Sequence, residues 1–112
     1  MTRMRPKEFQ KLLERDGGHC IHCGTTEGLV PQHRKNRKMG GSRRLEVPSN
    51  TVVLCSAVNT LLESDAVTAE WGRERGWKLK AHQDPATTPI KDNTTGTWWL
   101  LDDNYGRTEV TP

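Results

Sequence analysis

Two short apolar runs, each bounded by cysteine chemistry, do most to fix what this chain can build. Leu29-Val30-Pro31-Gln32-His33 follows the knuckle Cys20-Ile21-His22-Cys23, and the β-branched run Thr51-Val52-Val53-Leu54 ends at Cys55. Runs this short and apolar read as strands. The connection from Arg34 to Asn50 is 17 residues long with no clear element of its own, and such a segment is usually functional or disordered. Antiparallel pairing of the two runs puts His33 beside Asn50 at one end of a ribbon. The same pairing gathers Cys20, Cys23 and Cys55 at the other end. A helix starting near Ser56 rises about 1.5 Å per residue, which carries Asn59 back towards the middle of the ribbon. The sequence therefore proposes two clusters: a thiol corner, and a polar group of His33, Asn50 and Asn59 beside the long connection.

The flanking segments supply helices and a second ribbon. Pro6 opens a helix running to about Arg15, with Phe9, Leu12 and Leu13 on one face, and Gly17-Gly18 stop it. Val58, Leu61 and Leu62 share a helical face after Cys55, Ser64-Asp65 read as a break and a new cap, and helix resumes to about Arg75. Residues 76–107 hold short strand-like pieces between Pro- and Gly-containing turns. They are expected to form a β-ribbon over the helix, with Trp77, Trp98 and Trp99 giving much of its buried area; base stacking is the other use open to those rings. Only 32% of the 112 residues are hydrophobic, so the core is thin and further staples, metal or partner, are expected. The whole is read as one α+β domain: a helix over 5–17, a core over 18–75, a β extension over 76–107, and a loose tail over 108–112.

Charge is local rather than global. The net charge is +3, yet residues 34 to 44 hold six basic residues and no acid, leaving 11 basic against 14 acidic residues elsewhere. Arg34, Lys35, Arg37, Lys38, Arg43 and Arg44 therefore form a candidate phosphate-binding segment, against the alternative of a solvated loop. Gly40 and Gly41 within it would let backbone approach a duplex closely. Three cysteines make an odd count, which argues against a secreted disulfide framework. No apolar run approaches the roughly 18 residues of a membrane span, and the N-terminal segment lacks a signal-peptide core. The expected location is cytoplasmic, with no membrane partner.

The ordered set CIHC, QHR, MGGS, PSNTVVLC and SAVN resembles the HNH endonuclease family, most closely its small bacteriophage-encoded members. The likeness covers roughly residues 15 to 63, and the later GWK and Trp-rich stretch is similar as well. It implies a ββα-metal (His-Me finger) core that hydrolyses DNA phosphodiester bonds; in a phage the location would be the host cytoplasm. By position, His33 would be the general base, because a neutral imidazole can take a proton from water near physiological pH. Asn50 would brace the loop and hold the His33 ring. Asn59, with Gln32, would bind one divalent cation, Mg²⁺ or Mn²⁺, to stabilise charge on the scissile phosphate and the departing 3′ oxygen. The basic segment would grip the DNA backbone, a salt-sensitive and sequence-independent contact. Association with a packaging terminase is compatible with the resemblance.

Two departures from the family pattern matter. Relatives with a CxxC knuckle carry a second cysteine pair for structural zinc, whereas here Cys55 is followed at the expected position by Val58, which cannot bind metal. Either His19 or His22 substitutes, or Cys20, Cys23 and Cys55 pack as a small apolar corner, and the expectation is less than one zinc per chain. Many relatives also carry an acid where Gln32 stands, and many a histidine where Asn59 stands. Neutral amides hold a hard cation weakly, so the metal is expected to arrive largely with the DNA phosphate, unless Glu63 or Asp65 approaches the site. Two other readings stay open: a non-catalytic DNA-binding module with a degenerate metal site, and a zinc-ribbon interaction protein that would need a fourth cysteine.

Overall fold

In the computed structural model, residues 5–35 and 47–111 are described. Helix α1 (Pro6–Asp16) starts at a proline, with the Glu8 carboxylate reaching back to the Arg5 N–H, and ends where Gly17 turns left-handed at φ 86°. Strands β1 (Leu29–His33) and β2 (Thr51–Cys55) pair antiparallel, with Leu29 opposite Cys55 and His33 opposite Thr51. A single 3₁₀ turn, Pro48–Asn50, feeds β2. Helix α2 (Ser56–Ser64) follows without a gap, and helix α3 (Ala66–Glu74) restarts at Asp65, whose carboxylate accepts from the Thr68 N–H and hydroxyl. Strands β3 (Ile90–Asp92), β4 (Thr97–Leu101) and β5 (Arg107–Val110) form an antiparallel meander. Among the described residues the fold is therefore α+β, three α-helices with two small antiparallel sheets. None of those helices is long and apolar enough to cross a membrane.

Strand β2 is buried at all five positions and is the axis of the core. Val52, Leu54, Val58, Leu62, Trp77, Ile90 and Leu101 pack around it with Ile21, Cys20 and Cys55. Trp77 is fully buried, and its indole N–H donates to the Lys91 carbonyl at 2.8 Å, so its polar tip is satisfied where its ring is dry. Trp98 and Trp99 are half-buried, and Trp99 packs against the core together with Trp71, a ring unremarked in the sequence and also half-buried. The segment after Arg107 is not loose as far as Val110: its backbone pairs with Trp98–Leu101.

Two buried polar devices join the elements. Asp16 at the end of α1 accepts the Val53 N–H at 3.0 Å, and Arg15 beside it donates to the carbonyls of Pro48 and Thr51. This ion pair, 2.7 Å apart, is buried and, beside the fully buried Leu12 of the same helix, seats α1 against β2 by hydrogen bonds. The second device is Arg34, which is buried directly after β1.

Candidate functional site

At the His33 end of the β1–β2 pair, the chain leaving β1 is clamped. The Arg34 N–H donates to the Asn50 carbonyl at 2.8 Å. The Asn50 side chain then closes both main-chain polar groups of the next residue: Oδ1 accepts the Lys35 N–H at 2.8 Å, and Nδ2 donates to the Lys35 carbonyl at 3.3 Å. Asn50 is fully buried and His33 half-buried. The amide of Asn50 thus fixes where the backbone departs towards the basic segment.

Gln32 and Asn59 meet across the gap between β1 and α2. The Gln32 amide nitrogen donates to the carbonyls of His33 (3.0 Å) and Trp77 (3.5 Å), which turns its oxygen towards Asn59, whose amide nitrogen donates to it at 2.5 Å. Gln32 is 1% exposed. Its oxygen accepts from Asn59, so besides its expected place as a metal ligand Gln32 holds the orientation of Asn59. Of the two acids considered, Glu63 faces Lys78 at 3.6 Å, and Asp65 is occupied as the cap of α3, its pKa lowered by the two Thr68 bonds. Among the described residues, no group of three His, Cys, Asp or Glu forms around His33.

Arg34 also changes role. Its guanidinium is 1% exposed and donates to the carbonyls of Gly76 (2.7 Å), Ser49 (2.8 Å), Pro85 (2.8 Å) and Thr88 (2.5 Å). Burial, then repulsion from Arg15, pushes its pKa down to about 9, which still leaves it protonated at neutral pH. With its donors spent on carbonyls, it cannot grip a phosphate, and Arg34 leaves the phosphate-binding set. Lys35 is half-buried. Arg37, Lys38, Arg43 and Arg44 lie outside the described residues.

The opposite end holds the thiol corner. The knuckle turns at Gly24, φ 80°, whose N–H donates to the Cys20 carbonyl at 2.8 Å, while the His22 N–H points at Cys20 Sγ, 3.4 Å away. The ligand atoms of Cys20, His22 and Cys23 lie within 4.8 Å of one another, and Cys23 Sγ is 4.0 Å from Cys55 Sγ. That separation is far beyond a disulfide bond of about 2.05 Å, and all three cysteines are free. The Thr25 N–H lowers the pKa of Cys23, whereas burial raises that of Cys20.

The two histidines near the knuckle separate clearly. His19 is half-buried, bonded through Nδ1 to the Gly17 carbonyl and through Nε2 to Thr94 Oγ1. His22 stacks on Trp71 with centroids 5.1 Å apart and meets the edge of Trp77 at 5.8 Å. Burial, with the Arg75 charge, lowers its pKa and favours the neutral imidazole. Its Nδ1 is buried with no hydrogen-bond partner among the described residues, an uncommon state for a polar atom and one that a bound ion explains. Thiols and imidazole within this radius can hold a metal ion. In the sequence, the CIHC spacing marked the corner, but nothing there ranked His22 over His19; the Trp71 stack is a tertiary contact. Comparison with family profiles, curated proteins and solved structures found no match for this chain.

Proposed function

We propose that this chain is a metal-dependent endonuclease of the HNH type, with a ββα-metal core formed by β1, β2 and α2. The observation that carries the reading is the arrangement at one end of the hairpin: His33 closes β1, Asn50 clamps the backbone directly beyond it, and the basic segment continues from that clamp. Asn59 is brought against β1 by its bond to Gln32.

In this reading His33 takes a proton from water as the water oxygen attacks phosphorus in line; the bond from phosphorus to the 3′ oxygen breaks, and that oxygen leaves to be protonated from solvent. Asn59 offers an amide oxygen to a divalent cation, with Gln32 holding its orientation. Such a cation supplies positive charge for the phosphate and the leaving oxygen. Asn50 acts as a positioning residue for the loop. Lys35, Arg37, Lys38, Arg43 and Arg44 bind the DNA backbone.

The second reading, a DNA-binding module without catalysis, is favoured by one observation: the Gln32 oxygen bonds Asn59, and Glu63, one helical turn on from Asn59, pairs with Lys78. Supercoiled plasmid incubated with Mg²⁺ or Mn²⁺ separates the two. The nuclease reading expects relaxed or linear product that disappears in His33→Ala while DNA binding persists. DNA binding with no cleavage under any divalent metal establishes the module instead.

A further inference from the structure

We propose that Cys20, His22, Cys23 and Cys55 form a closed zinc site in which His22, from inside the knuckle, supplies the fourth ligand. This stands on the thiol corner alone and is independent of whether the opposite end cleaves DNA.

Three observations combine. The ligand atoms of Cys20, His22 and Cys23 already share a 4.8 Å radius, and Cys55 Sγ is 4.0 Å from Cys23 Sγ. Sulfurs bound to one tetrahedral zinc at about 2.3 Å lie a little under 4 Å apart, so Cys23 and Cys55 stand near ligand spacing, while Cys55, outside the 4.8 Å group of the other three, closes onto them when the ion binds. The His22 Nδ1 is buried and unpartnered among the described residues. The His22 ring is held against Trp71 and Trp77, so its orientation is set by packing before any ion arrives. Val58, at the position where a second knuckle would carry cysteine, is 7% exposed and packs in the core. That position serves packing, and the missing donor comes from the first knuckle.

The donor set points to zinc over a hard cation, because thiolate and imidazole suit zinc and carboxylate or carbonyl oxygens suit magnesium. On binding, each cysteine gives its thiol proton to solvent and the sulfur electron pair goes to the metal; no redox partner is needed. The ion would link the knuckle before β1 to Cys55, the residue that ends β2 and caps α2. That is a staple of the kind a thin core calls for. The proposal runs against the expectation of less than one zinc per chain, which rested on Val58 standing where a fourth cysteine would be.

The test is zinc X-ray absorption on full-length protein purified under reducing conditions. The expected result is one zinc per chain with three sulfurs at about 2.3 Å and one nitrogen at about 2.0–2.1 Å, carrying the multiple scattering of an imidazole. His22→Ala should lose the nitrogen and the imidazole signature, and a chelator should strip its zinc at a concentration roughly tenfold lower or less. His19→Ala should change neither. The proposal is overturned if the wild-type protein binds no zinc on titration, if its spectrum lacks imidazole scattering, or if that scattering survives in His22→Ala and disappears in His19→Ala. The wild-type spectrum decides the ligand set even should the His22 variant fail to fold.

Discussion

Arg34 shows why a run of positive charge cannot be read as a surface by counting. In the sequence it is one of six basic residues in a row of eleven, and nothing local distinguishes it from Arg37. In the fold its side chain turns inward and collects four carbonyls, from Ser49, Gly76, Pro85 and Thr88. Only arginine has enough donors in a rigid fork to do this. Those carbonyls come from three places: the 3₁₀ turn ahead of β2, the end of α3, and the irregular stretch before β3. The residue therefore acts as a pin for a segment with no strand or helix of its own. Replacing it with methionine keeps most of the apolar stem but leaves four acceptors without their donor. Hydrogen bonds to a charged group contribute about 1.5–3 kcal/mol each, and breaking a buried polar centre costs about 3–5 kcal/mol. We expect Arg34→Met to lose about 3–5 kcal/mol in urea unfolding at unchanged m. Arg34→Lys should recover only part of this, because one ammonium cannot reach four carbonyls. A loss below about 1 kcal/mol for Arg34→Met would show that water or a repacked neighbour satisfies them.

At the scale of elements, the join between α3 and the second sheet rests on Gly76. Its φ is +76°, and a Cβ there would sit 2.0 Å from the Pro89 carbonyl oxygen, a backbone atom. Its own carbonyl accepts from Arg34. Left-handed backbone costs a non-glycine residue about 1–2 kcal/mol, and displacing packed backbone adds about 1–3 kcal/mol. Gly76→Ala should therefore lower stability by about 3 kcal/mol in thermal or urea unfolding, and a neutral result would mean that the Gly76–Pro89 approach is slack. The ends of α2 and α3 were legible in the sequence because Ser64, Asp65 and Gly76 are chemical punctuation. So were β1 and β2, whose cysteine and histidine boundaries fixed which ends meet. Strand β5 was not legible: Arg107-Thr108-Glu109-Val110 is largely polar with none of its residues fully buried, and it is held by main-chain pairing to β4. The candidate site divides the same way. The nearness of Asn50 to the end of β1 followed from antiparallel pairing alone. The inward turn of Gln32, its bond to Asn59 and the placement of His22 on Trp71 depend on side-chain packing across elements, which no spacing rule encodes.

For the whole molecule, function in the proposed reading depends on a charge imbalance that folding sharpens. Outside residues 34–44 the chain carries more acid than base, so a duplex meets net repulsion from most of the surface and attraction from one segment. With Arg34 committed to the interior, five cations of that segment remain for phosphate: Lys35, Arg37, Lys38, Arg43 and Arg44. Each phosphate neutralised on B-DNA contributes about −0.9 to the slope of log K against log salt. The slope for this protein should then be no steeper than about −4.5, a modest value consistent with weak, sequence-independent binding. Arg37→Ala combined with Lys38→Ala should flatten it by about two, and should do so equally on unrelated DNA sequences, because phosphate contacts carry no base information. The double variant must first match the wild-type circular dichroism spectrum, so that the change reports lost contacts and not lost fold. A slope that stays the same in the double variant would remove these two cations from the interface. A wild-type slope well beyond −4.5 would instead require basic residues outside the segment, with Lys11, Lys78 and Lys80 the next to replace.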